Sequence, residues 1–234
     1  MRHPSIVTPK PIRGFKDKRI IYLPCDLPGG ILSTAVKKRG GPKKDLGFCS
    51  LYSLDGQTAL CGAMGAAAAG LVLESFIASG AEDILILGFC GSLSRRFRIG
   101  DVTAISRALV DEGTSKHYFP RRRCFLPSPA LAAELESKTA VRRKGVIIST
   151  DAPFRETPDW LKESRRRGAE LVDMETSAVF ALAAFHGIRA ASLQIVSDEI
   201  FSGREKSGFS GPLLRQRVAE FFLPLLGRRT RDSG

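Results

Sequence analysis

The stretch DILILGFCGSL, residues 83–93, decides the fold. Its first half is an unbroken apolar run between Asp83 and Gly88. A strand covered on both faces reads this way, because neither face needs a polar alternation. Its second half, Gly88-Phe89-Cys90-Gly91-Ser92-Leu93, places glycines directly after that strand. Glycine lets a backbone approach a ligand closely, and ligands of open α/β sheets bind at the carboxyl ends of strands. A plain strand-to-loop turn would use the same residues.

Upstream, GAMGAAAAGLVLESFIASGAED opens with glycines, repeats Ala, Leu, Val and Ile at helical spacing and closes at Gly80. RIIYLP (19–24) reads as a short buried strand, and FCSLYSL (48–54) and TALCG (58–62) flank Asp55-Gly56, a hairpin signal. Downstream, DVTAISRALV (101–110), GVIIST (145–150), AELVDM (169–174) and IRAASLQIVS (188–197) read as strands. PSPALAAELESK (127–138), PDWLKESRRRG (158–168) and ETSAVFALAAFHG (ending at Gly187) read as helices. PLLRQRVAEFFLPLLG (212–227) is a C-terminal amphipathic helix whose last turns Pro224 interrupts. Strands and helices alternate, and the hairpin adds antiparallel pairing. The expected fold is α/β, a three-layer α/β/α sandwich around a mixed β-sheet. The expected organisation is an N-terminal arm (1–18), one domain (19–227) and a flexible tail (228–234).

The 234 residues suit a single domain, and a hydrophobic fraction of 43% supports a sizeable core. No apolar run is long enough to span a membrane, and the N-terminus lacks the apolar core of a signal peptide, so a cytoplasmic protein is expected. The five cysteines form no CxxC pair and read as reduced thiols. His117 and His186 have no partners at ligand spacing, so no metal is expected. The net charge of +12 comes from short Lys/Arg clusters spread along the chain, outside any nucleic-acid motif and without interleaved aromatics. A solvated basic surface accounts for it; an anionic partner or a phosphorylated substrate is the alternative, and nucleic acid is not the expected partner.

Two further segments carry chemistry at strand ends. In Val172-Asp173-Met174-Glu175, Glu175 opens a helix of small apolar residues, where it serves either as a cap or as an acceptor for sugar hydroxyls. In Ser197-Asp198-Glu199, Asp198 lies at the lip of a buried strand, as either a turn residue or an acid whose pKa burial raises.

Together and in order, these segments resemble the purine nucleoside phosphorylase and uridine phosphorylase superfamily, which includes the methylthioadenosine nucleosidases. The resemblance extends to GAMG, to LGFCGSL…IGDV, to ALVDEGTSKHY, to STDAPFRE, to LVDMETSAVFALA and to IVSDEIF. It implies cleavage of the bond between a ribose and a base, with no cofactor beyond inorganic phosphate if the reaction is phosphorolysis. It implies Asp198 as the acid that neutralises the departing base and Glu175 as the carboxylate on the ribose hydroxyls. Met174 matches the residue packed on the sugar, and Phe154 the aromatic wall of the base. Phe89, Cys90, Gly91 and Ser197 complete the expected lining; Asp26, Arg204 and His117 are accessory candidates. Relatives are usually homo-oligomers, so a homo-oligomer is expected here by resemblance.

The departures concern phosphate. In Pro24-Cys25-Asp26-Leu27-Pro28-Gly29, Cys25 stands where the family has glycine and Gly29 where it has arginine. Ile86 replaces a second arginine, and Phe89 replaces a Ser or Thr. Burying a phosphate without its arginines is unfavourable. Hydrolysis is therefore the leading expectation. Phosphorolysis with cations from elsewhere (His3, Arg13, Arg95 or Arg96) and a non-catalytic nucleoside-binding role are the alternatives. The base is not legible: DEGTSKHY points to pyrimidines, but STDAPFRETPD shows no Gln-x-Arg uracil clamp.

Overall fold

The computed structural model describes residues 5–39, 43–47 and 49–227. His3 and the tail 228–234 lie outside them. In chain order the elements are β1 (Arg19–Leu23), α1 (Ile31–Arg39), β2 (Lys43–Asp45), β3 (Cys49–Leu54), β4 (Gln57–Gly62), α2 (Ala66–Ala78), β5 (Asp83–Ser92) and β6 (Val102–Asp111). There follow α3 (Thr114–Tyr118), β7 (Cys124–Phe125), α4 (Pro129–Thr139), β8 (Lys144–Thr150), α5 (Pro158–Arg166), β9 (Leu171–Asp173), α6 (Thr176–His186), β10 (Arg189–Glu199), β11 (Lys206–Ser207) and α7 (Pro212–Arg217).

The sheet is mixed, as expected. β5 pairs in parallel with β1 and β10, and antiparallel with β9. β10 also pairs with β6, β6 with β8, and β8 with β9. β5, β10, β6, β8 and β9 thus close into a ring of five strands, and β1, β4, β3 and β2 extend from β5 as an open wing. Closure follows from β9, which is short enough to bridge β8 to the end of β5.

Alternation along the central strands explains the layers. Ile20, Tyr22, Ile84 and Ile86 face one core with Phe76 of α2 and Phe180 of α6. Ile21, Leu23, Leu85 and Leu87 face the other with Leu32 of α1, Leu131 of α4 and Leu214 of α7. Strands buried on both faces need no polar side, which is why DILIL is uniformly apolar.

Several boundaries differ from expectation. β5 and β10 run on to Ser92 and Glu199, past the glycine and serine where each apolar run ends. β9 is only three residues. Helix α1 had no periodic signal; it begins after Gly29 and Gly30, both at positive φ, and the distant Asp26 side chain caps it. The C-terminal helix is α-helical only to Arg217, then makes a wide turn over Val218–Phe222 and a tight one over Leu223–Leu226, where Pro224 has no N–H to give. The arm is tethered at its end: Phe15 packs edge-on against Phe76, and the Ile12 amide donates to Ser79 Oγ.

Candidate active site

The ends of β5, β9 and β10 meet at a cavity of about 420 Å³. Asp198 enters it through an irregularity in β10. Val196 lies opposite Cys90 and Asp198 opposite Gly91, so Ser197 is an extra residue and the register shifts. The Asp198 carboxylate sits where a side chain on Gly91 would be: a Cβ there would lie 2.7 Å from its Oδ2. Ser197 Oγ lies 2.7 Å from Asp198 Oδ1, as a donor to it. Burial raises the pKa of Asp198; the Ser197 hydrogen bond opposes this, and nearby Glu205 adds to it.

Glu175 reaches the same cavity from the turn between β9 and α6. Its side chain does not cap its own helix. It accepts from the Gly65 amide at 2.6 Å, at the N-terminus of α2. Gly65 has φ +93°, which a residue with a Cβ rarely adopts. The carboxylate therefore sits at the positive end of a 13-residue helix other than the one it opens. Burial, and then the charge of Asp173, push its pKa up to about 8.

A third carboxyl group lines the cavity. Glu156 follows a short helical turn (Pro153–Arg155), and burial together with Asp198 and Glu205 raises its pKa to about 7. The apolar walls include Phe89, whose ring packs against Phe209 at 5.8 Å and Phe222 at 6.0 Å.

Met174, Phe89, Cys90, Gly91 and Ser197 line this cavity with Asp198 and Glu175. Phe154 lines it from the rim, almost fully exposed. Arg204 is also an exposed lining residue; among the described residues it makes no ion pair with Asp198. Two accessory candidates lie elsewhere. The carboxylate of Asp26 accepts the amides of Leu27, Leu32 and Ser33 and borders a separate cavity of about 230 Å³, so it serves as the cap of α1. His117 is exposed on α3, outside the cavity. The DEGTSKHY segment instead acts as a brace: Asp111 accepts from Trp160 Nε1 at 2.7 Å, Glu112 accepts from Ser177 Oγ at 2.9 Å, and Tyr118 donates to Glu74 at 2.7 Å. Arg13, Arg95 and Arg96 are exposed and do not line the cavity, and Arg96 pairs with Glu170. The side chain of Ile86 is buried in the core.

Sequence reasoning missed Glu156, Glu205, Asp173, Cys25, Met64 and Phe209, all of which line the cavity. Glu156, Asp173, Cys25 and Met64 lay inside segments already singled out. Phe209 carried no local signal, because it arrives from the loop after β11.

A sequence model described as the phosphorylase superfamily matches residues 51–226. A DeoD-type purine nucleoside phosphorylase of Bacillus cereus is 30% identical over 169 residues, spanning 68% of this chain and 71% of that protein. A guanosine phosphorylase of Halorubrum lacusprofundi is 27% identical over 161 residues, 67% of each chain. Among solved structures, a purine nucleoside phosphorylase from Toxoplasma gondii superposes with a TM-score of 0.75 at 17% identity, covering 97% of both chains. An AMP nucleosidase from Bacteroides thetaiotaomicron superposes with a TM-score of 0.71 at 20% identity, covering 90% of this chain and 86% of that one. These two share the fold. With the match running from β3 to the end of the last helical segment, this chain belongs to the phosphorylase superfamily.

Proposed function

We propose that this chain is an enzyme that cleaves the N-glycosidic bond of a nucleoside, and that water is the nucleophile. The observation that carries the reading is the shared cavity: Asp198 and Glu175, 23 positions apart in sequence, line one space of about 420 Å³, a size that suits a nucleoside.

The chemistry follows from charge. As the bond to the base lengthens, the ribose gains positive charge and the base gains negative charge, and catalysis stabilises both. Asp198, kept protonated to higher pH by burial, donates to the leaving base, and Ser197 orients its carboxyl group. Glu175, anchored on the Gly65 amide, takes the ribose hydroxyls. Phe154 and Met64, both exposed on the rim, cover the ligand from the open side. Glu156 stands with Asp198 and Glu205, so this end of the cavity favours a base that offers N–H donors, as an amino- or lactam-substituted purine does.

Hydrolysis is favoured by Phe89, which stands where the family places a phosphate-binding hydroxyl and is held in an aromatic group with Phe209 and Phe222. Among the described residues, the exposed Arg204 is the one arginine that lines the cavity. Phosphorolysis is the second reading, favoured by the names of the relatives near 30% identity. The test is release of free base from adenosine, inosine, guanosine, uridine and thymidine, with and without phosphate. Equal rates in both arms support hydrolysis. A strict requirement for phosphate replaces it with phosphorolysis, and binding without any base release removes the enzymatic reading. The same reading carries a homo-oligomer as its expected assembly, checked by sedimentation.

A further inference from the structure

We infer that Asp173 is a positioning residue for Glu175: a fixed buried carboxylate that holds the start of α6 and governs when Glu175 carries its proton. The inference rests on the reading of Glu175 as the group that grips the ribose.

Asp173 is 7% exposed. Ser149 Oγ donates to its Oδ1 at 2.5 Å, the Thr176 amide donates to its Oδ2 at 3.0 Å, and the Thr176 hydroxyl also donates to Oδ2. The Glu175 amide is a further donor. Burial raises the pKa of Asp173, and each of these partners donates to it, which favours the ionised form and opposes that rise. Asp173 thus performs the helix capping that the sequence assigns to Glu175, leaving the Glu175 side chain free to cross to Gly65.

The donors are themselves held. Ser149 Oγ accepts the Ser177 amide at 2.9 Å, and Ser177 Oγ donates to Glu112, which also accepts the Ser115 amide. Thr176 Oγ1 receives Gln194 Nε2 at 3.4 Å, while Gln194 Oε1 has no partner among the described residues. Strands β8 and β10 and helices α3 and α6 therefore all bear on one carboxylate.

Among the described residues, no cation pairs with it. The groups that face the pair are Tyr22 and Cys25 from β1 and the loop after it, Cys90 from β5, and the Gly65 amide from α2. Burial, first of all, raises the pKa of Tyr22, Cys25 and Cys90, so all three are neutral at physiological pH. Glu175 then has a negative neighbour and, among the described residues, no positive partner, so it holds its proton to higher pH. The charge buried at Asp173 has the sign that a developing ribosyl cation needs.

The experiment is a carbon-13 titration of the side-chain carboxyl of Glu175 in the free protein, assigned with Glu175→Gln, alongside kcat and KM from pH 5 to 9.5 on guanosine and adenosine. In Asp173→Asn the Glu175 titration should move to lower pH by about one unit or more, with kcat reduced more than KM is raised. Thr176→Val and Ser149→Ala each remove one donor, favour protonation of Asp173, and should move Glu175 the same way by less. These two variants decide the matter if Asp173→Asn does not fold. A Glu175 titration unmoved in the folded variants overturns the inference. Full activity in Glu175→Gln instead overturns the ribose reading, and it does so whatever the titrations give.

Discussion

Gly91 and Asp198 share one space: a Cβ on the glycine would lie 2.7 Å from the carboxylate Oδ2 and 2.9 Å from Val172 Cγ1. β5 and β10 are paired on either side of the register shift, so neither backbone can yield easily. Gly91→Ala should therefore push the Asp198 carboxylate out of place. A misplacement of about 1 Å costs on the order of 100-fold in rate. Steady-state kinetics beside a thermal melt check this; a variant with normal kcat would show that Asp198 need not stand there.

Asp198→Asn keeps the shape and removes the acid. Turnover should fall at least about 100-fold. Burial raises the pKa of Asp198, so the wild-type rate should hold to higher pH than an ordinary carboxyl group allows and then decline as the proton is lost. The variant should lose that basic limb. Near-normal turnover would take Asp198 out of the mechanism.

Glu175 and Glu156 make stability depend on pH. Their pKa values rise from about 4.5 to about 8 and about 7, so between these limits the folded protein binds more protons than the unfolded chain. Stability should decline as pH rises from about 4.5 to about 8. Melting curves at pH 5 and 8 measure the decline, and Glu175→Gln with Glu156→Gln should flatten it. An unchanged slope in the double variant would mean that neither group retains its proton in the fold.

Asp83 holds the other end of the sheet. It is 4% exposed and accepts from Arg19 at 2.9 Å and from Arg189 at 2.6 Å, tying β1 and β10 to β5 at their amino ends. Asp83→Ala leaves two guanidinium groups without their shared partner, although Arg19 keeps Glu134. The expected loss is about 3 kcal/mol in urea denaturation, with little change in kcat, because the cavity lies at the opposite strand ends. A wild-type midpoint would show that the solvent-exposed part of Arg189 replaces the pair.

Phe89→Ser tests the aromatic wall. The ring is 8% exposed and packed on Phe209 and Phe222, so truncation should cost about 3–5 kcal/mol, as for large core aromatics. It should not by itself create phosphate dependence, since no arginine comes with it. Phosphate-stimulated base release in this variant would show that the ring alone excludes the anion.

Much was legible in one dimension because local patterns obey local physics. The apolar run at 84–87, the helical spacing after GAMG and the Asp55-Gly56 turn each specify an element through burial, periodicity or φ preference, and their alternation specifies a layered α/β fold. Asp198 and Glu175 were legible as carboxyl groups at strand ends. The sequence alone could not say which partner each carboxylate takes, because hydrogen bonds form between residues brought together by strand pairing. Asp26 proved to cap α1, Glu175 reached across to α2, Asp173 took over the capping of α6, and DEGTSKHY became a brace. Those assignments depend on the ring closed by β9 and on the extra residue in β10. Sheet closure and register are settled only when distant segments compete for the same backbone partners.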